Sequence, residues 1–118
     1  MSGRLTTHVL DTASGRPAAG VHVEAFRLSG AAREPLASLI TNGDGRCDRP
    51  LLEGAAFTAG TYELVFHVAA YFRGRGVVLP EPPFLDAVPL RFGVADAGSH
   101  YHVPLLISSY GYATYRGS

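Results

Sequence analysis

Glycine and proline interrupt this chain about every ten residues, and the stretches between them are short and rich in β-branched and aromatic side chains. Helix-length apolar periodicity is nearly absent. A chain so divided has to fold from short strands joined by turns, as a sandwich or barrel. The spacing predicts strands over Arg4–Leu10, Val21–Leu28, Leu36–Thr41, Thr61–Val68, Val88–Val94, Tyr101–Ile107 and Tyr112–Gly117, with a short one around Leu51. In Thr61–Val68, side chains two apart share a face, so Tyr62, Leu64, Phe66 and Val68 line the core while Glu63 and His67 face out. Ser14-Gly15-Arg16-Pro17 and Asn42-Gly43-Asp44-Gly45 supply turn residues that tolerate positive φ. Leu79–Pro83 holds three prolines that cannot donate ladder hydrogen bonds and must be a loop. The helical candidate is the glycine-bounded stretch Ala69–Arg75. The expected fold is all-β, two sheets of seven or eight strands with one short helix, in a single domain over residues 1–118.

Ten basic residues balance ten acidic ones, and no basic run breaks the balance, so the electrostatic footprint of a nucleic-acid partner is missing. No stretch approaches transmembrane length, and strand-like alternation begins at Leu5, where a signal peptide would need an apolar segment. Cys47 is the single cysteine, so no intramolecular disulfide forms, which fits a reducing compartment. These readings point to a cytoplasmic protein without membrane or nucleic-acid partners.

Five histidines are available for proton chemistry near neutral pH. His22 and His67 read as solvent-side residues of amphipathic strands, near Glu24 and Glu63. His100 and His102 stand two apart on a strand and so share a face, which suits a metal in geometry. No local motif supplies the third ligand that zinc needs, though His8 can be recruited from another strand, and the expected metal content is none. If Ser108-Ser109-Tyr110-Gly111 turns a hairpin with Ile107 opposite Tyr112, His102 falls opposite Gly117 and Pro104 opposite Tyr115. Gly111, Ala113 and Gly117 then leave a hollow beside His102 and Tyr115, room either for a flat ligand or for a neighbouring sheet or subunit. Arg46, after its turn, reads by itself as a solvated arginine, and Cys47 as a small packing residue.

Several segments together resemble one family, the 5-hydroxyisourate hydrolases, which share the transthyretin-like (prealbumin-like) β-sandwich with the hormone carrier transthyretin. Leu5-Thr6-Thr7-His8-Val9-Leu10-Asp11-Thr12 with Gly15-Arg16-Pro17-Ala18 is similar to the family's opening strand and turn. Thr41–Arg46 resembles its central turn, and His100-Tyr101-His102-Val103-Pro104-Leu105-Leu106 and Tyr115-Arg116-Gly117-Ser118 resemble its two closing signatures. Ser109 departs from the proline common in the family's hairpin turn, and Arg75–Asp86 matches weakly. The resemblance implies a site built from His8, Arg46, His102 and the tail Tyr115, Arg116, Gly117 and Ser118, with no cofactor and a homotetramer arranged as a dimer of dimers. It implies hydrolysis of 5-hydroxyisourate, a purine-derived small molecule, to 2-oxo-4-hydroxy-4-carboxy-5-ureidoimidazoline in urate degradation. His8 or His102 would activate water, Arg46 would stabilise the oxyanion, and Ser118 would bind substrate or orient water. The competing readings are a binding module of carrier type without catalysis, and a purely structural domain.

Overall fold

The computed structural model describes residues 3–117. Among them the order is β1 (Arg4–Asp11), β2 (Arg16–Pro17), β3 (His22–Ser29), β4 (Ala32–Ile40), β5 (Leu52–Glu53), β6 (Gly60–His67), α1 (Val68–Gly74), β7 (Ala87–Val94), β8 (His100–Ile107) and β9 (Tyr112–Thr114). One sheet runs β2-β1-β8-β9 with β5 also on β1, and the other runs β4-β3-β6-β7. All pairings are antiparallel except β1 with β8, which lie parallel, so the first and last long strands meet in the middle of one sheet.

The period-two alternation expected of half-buried strands explains the layering. Leu5, Val9, Val103 and Leu105 point from the five-stranded sheet onto Val23, Tyr62, Leu64 and Phe66 of the other, all of them buried. Each such side chain contributes about 1.5–3 kcal/mol on burial, and the two inner faces form one continuous core.

The structure departs from the sequence expectations in particulars. The strand expected from Leu36 starts at Ala32, because β4 is an edge strand that takes up Pro35 where the β3 register shifts between Ala25 and Phe26. Arg16–Pro17, expected as turn, pairs back on β1 as a two-residue strand, bringing the count to nine among the described residues. The last strand stops at Thr114, with Gly117 returning as an isolated bridge to His102. Glu63 leaves the sandwich interior as expected but is only 7% exposed. Arg33 Nη1 donates to its Oε2 at 3.0 Å and Arg91 Nη2 to its Oε1 at 3.4 Å, so both oxygens of the covered carboxylate have partners. No helix among the described residues is long and apolar enough to cross a membrane.

The short helix is pinned to the far sheet by one polar contact. Tyr71 Oη donates to Asp11 Oδ2 at 2.8 Å, while the Ala13 and Ser14 N–H groups donate to Oδ1 at 2.9 and 3.1 Å. Burial by itself would raise the Asp11 carboxyl, but these donors, Tyr71 foremost, outweigh it and hold the group below its ordinary value. The Tyr71 phenol is pushed up to about 12 by burial and by its bond to Asp11. Because the folded-state pKa of Asp11 is depressed, its contribution is present above the unfolded carboxylate value and is lost as pH falls through the folded one. Tyr71→Phe is expected to cost about 1.5–3 kcal/mol, the usual worth of a hydrogen bond to a charged group. Urea melts at neutral pH and at a pH low enough to protonate Asp11 check this, with the difference between variant and parent shrinking at the acid end.

Candidate active site

The inward side chains of β1 and β8 fix the outward ones. With Leu5, Thr7 and Val9 and with Tyr101, Val103 and Leu105 buried, Thr6, His8, His100 and His102 project from the open face of the five-stranded sheet. The parallel register sets Arg4 beside His100 and Thr6 beside His102. Arg46 arrives from the turn before it. Asn42 Oδ1 accepts from the N–H groups of Asp44 and Arg46 at 2.9 and 3.2 Å, and the Gly45 carbonyl accepts from Val9 N–H at 2.8 Å. Gly45 sits at φ 75°, and a Cβ there would lie 2.4 Å from the Val9 carbonyl oxygen, so only glycine lets the turn dock on β1. Arg46 then bridges to His8 through the backbone.

A cleft of about 340 Å³ opens on this face, lined among others by Arg4, Thr6, Arg46, Arg49, His100 and His102. Its most ordered feature is a three-residue chain: Thr6 Oγ1 lies 2.7 Å from His100 Nε2 and 2.8 Å from His102 Nδ1. One hydroxyl has a single proton, so it donates to one imidazole and accepts from the other. In one arrangement His102 carries its proton on Nδ1 and keeps an unprotonated Nε2; in the other the roles are reversed. Burial lowers the pKa of His102, with the charges of Arg46, His100 and His8 adding to the effect. Burial, then Arg4 and Arg116, also lowers that of His100. Both rings therefore take up a proton at lower pH than a free imidazole does. His8 Nε2 lies 2.9 Å from the Asp44 carbonyl, which can only accept, so His8 carries its proton on Nε2 and presents Nδ1 as acceptor.

The expected site residues are distributed unevenly. His102 and Arg46 line the cleft, and His8 stands beside it, turned toward Asp44. Gly117 packs against His102: its N–H donates to the His102 carbonyl at 2.7 Å, in the pairing expected from sequence, and a Cβ on it would lie 2.7 Å from His102 Cδ2. The cleft, however, lies on the β1 side of His102, whereas the hollow was expected over the last strand. Tyr115 and Arg116 line a separate depression with Leu90, Phe92, Tyr101 and Val103, where the Arg116 guanidinium stacks 3.9 Å over the Tyr101 ring. They swing away because the strand ends at Thr114. Ser118 lies outside the described residues. Cys47 also borders the cleft, but burial, followed by the charge of Asp48, raises its thiol pKa, which fits a packing role. Sequence reading missed Thr6 and His100 as partners of His102; the signal was the outward position of Thr6, legible only with the parallel register known.

Fold and cleft define a class: small two-sheet β-sandwiches with a histidine and arginine cleft on the open face of one sheet. Within it, the chain belongs to the HIUase/Transthyretin family, whose model matches residues 5–117. A relative from Rhizobium meliloti (strain 1021) named 5-hydroxyisourate hydrolase 2 is 67% identical over 117 residues, covering 99% of this chain and 98% of the relative. The structure of Klebsiella pneumoniae 5-hydroxyisourate hydrolase superposes with a TM-score of 0.82 at 36% identity, covering all of both chains (100% each). Sea bream transthyretin in complex with thyroxine superposes with a TM-score of 0.87 at 25% identity, covering 97% of this chain and 94% of that one.

Proposed function

We propose that this chain is a hydrolase that opens the ring of 5-hydroxyisourate to give 2-oxo-4-hydroxy-4-carboxy-5-ureidoimidazoline, and that the cleft around His102 is where it does so. The observation that carries the reading is the pairing in one cleft of His102, bound at Nδ1 to Thr6 and lowered in pKa by burial, with the Arg46 guanidinium. A carrier needs neither. In the mechanism, His102 Nε2 accepts a proton from water as the water oxygen bonds to a ring carbonyl carbon. Arg46 stabilises the charge that develops on the carbonyl oxygen. Collapse of the adduct breaks the ring carbon–nitrogen bond, leaving a carboxyl group on one side and a ureido nitrogen on the other. The proton gained at Nε2 goes to that nitrogen, and in this arrangement the Thr6 hydroxyl accepts from Nδ1–H in both states of the ring while donating to His100 Nε2. His8 Nδ1 is an acceptor for a substrate N–H. These steps call for no metal or cofactor, and Ser118 keeps a role in binding or water orientation. Carbon-13 spectra of 5-hydroxyisourate freshly made from labelled urate test the reaction: the carboxyl signal should grow far faster with protein than without. Equal rates would refute it.

The mechanism needs neutral His102, so the acid limb of kcat/KM is expected below the ordinary imidazole value of 6.5. Thr6→Val should lower kcat at least about tenfold with little change in KM, because it loses the hold on the ring and not a substrate contact. Thr6→Ser should restore most of the activity. Matched pH–rate profiles of the three proteins check this.

The proposal extends to assembly and location. Phe84, Tyr110, Tyr112 and Tyr115 are all exposed on the single chain, and β7 and β9 end their sheets as open edges. Apolar surface and open edges of this kind are normally covered, which supports a homotetramer built as a dimer of dimers. Light scattering at micromolar concentration should report about four times the chain mass of 12.5 kDa. The unpaired Cys47 supports a cytoplasmic location.

A further inference from the structure

The opposite face of the molecule carries a group of side chains that the hydrolytic reading leaves unused. Among the described residues, one set of three is placed to hold a metal ion, and it is His22, Glu24 and His67, not His100 and His102. His22 and Glu24 stand two apart on β3 and project outward, since Val23 and Ala25 between and beyond them are buried. His67 ends β6, and the antiparallel register that pairs Val23 with Phe66 brings it opposite His22. The two imidazoles stack at 4.7 Å with 14° between their planes. His67 Nε2 donates to Glu24 Oε1 at 2.7 Å, and His22 Nε2 lies 2.6 Å from Ser38 Oγ. One donor atom from each of the three residues falls within 4.8 Å of the others.

We propose that His22, Glu24 and His67 form a binding site for a borderline divalent cation, zinc foremost, on the outer face of the four-stranded sheet. Two imidazoles and a carboxylate are the donor set such a cation takes, with a fourth position left to water. Ligand bonds of about 2.0–2.2 Å in a tetrahedron put donor atoms roughly 3.3–3.6 Å apart, closer than the 4.8 Å within which the three atoms now lie, so the stacked imidazoles turn out of their near-parallel planes to aim at one ion. When a cation binds, the His67 proton moves from Nε2 to Nδ1 through solvent exchange. Nε2 then bonds the metal and Glu24 exchanges a hydrogen-bond donor for the ion. The His22 contact with Ser38 is the second cost. The bound ion staples β3 to β6 on the side away from the cleft, stabilising the fold by mass action without entering the reaction.

The test is titration of the full, metal-stripped chain with zinc, followed by calorimetry, melting curves and imidazole nitrogen-15 spectra. We expect one equivalent per chain bound at this site, a melting temperature raised by a few degrees, and shifts of the His22 and His67 ring nitrogens. Affinity for that equivalent should fall at least tenfold in His67→Gln and in Glu24→Gln, and stay unchanged in the double variant His100→Gln/His102→Gln. Chain without metal should keep its activity in the first two variants. No binding, or binding lost only in the double variant with His22 and His67 signals unmoved, would overturn the proposal. The spectra of the unaltered chain decide the matter even if a variant fails to fold.

Discussion

Replacing His102 with asparagine is expected to lower kcat/KM for 5-hydroxyisourate by about a hundredfold to ten-thousandfold, the usual worth of a positioned general base. Asparagine can still reach Thr6 where Nδ1 does now, at 2.8 Å, so the neighbourhood stays formed while the basic nitrogen is gone. Arg46→Met should cost about a hundredfold to a thousandfold, as removal of one oxyanion donor does. Both side chains lie on the open sheet face, and neither belongs to the buried core. Melting temperatures should therefore stay close to that of the parent. The acid limb carries a further signature: with the Arg46 charge removed, His102 loses one of the influences that lower its pKa, and the limb should move up in pH. Steady-state rates across pH for the two variants, alongside circular dichroism, check both statements. Near-parental rates in either variant would remove that residue from the chemistry.

Gly117→Ala is expected to have the second large effect, out of proportion to the single methyl group it adds. The new Cβ would stand 2.7 Å from His102 Cδ2, and the backbone behind it is fixed by the hydrogen bond to the His102 carbonyl, also 2.7 Å. The imidazole has to turn, and turning it breaks the short bond from Nδ1 to Thr6. A displacement of this order at a reacting atom costs about a hundredfold in rate. The glycine is needed here for close approach and not for its backbone angles, so folding should be little affected. Rates and melts of the alanine variant give the measurement, and a ring-nitrogen shift at His102 without loss of stability is the accompanying sign.

How much of this was legible in the sequence follows from what each feature depends on. Strands set by local alternation, such as Arg4–Asp11 and Gly60–His67, were found to within a residue, because period two is written in neighbouring side chains. The closing hairpin's register, with Ile107 opposite Tyr112 and His102 opposite Gly117, followed from turn length alone. What was not legible depended on distant contacts. Glu63 is covered by Arg33 and Arg91 from two other strands, which no local pattern announces. The end of β9 at Thr114 turns Tyr115 and Arg116 toward Tyr101, so the cleft opens on the other flank of His102. Thr6 became visible only once β1 and β8 were seen to run parallel, a pairing across nearly the whole chain. The His22–His67 stack likewise needed the register between β3 and β6.

The central claim, that this cleft hydrolyses 5-hydroxyisourate through His102, is tested most directly by progress curves of the substrate's ultraviolet absorbance. Freshly generated 5-hydroxyisourate is followed with the unaltered chain, with the His102→Asn variant at equal folded concentration, and without protein. The account predicts a decay with the unaltered chain that is many times faster than the spontaneous one and proportional to protein, and a variant curve close to the protein-free control. Decay by the variant as fast as by the unaltered chain would contradict the site, and three superimposable curves would contradict the activity itself.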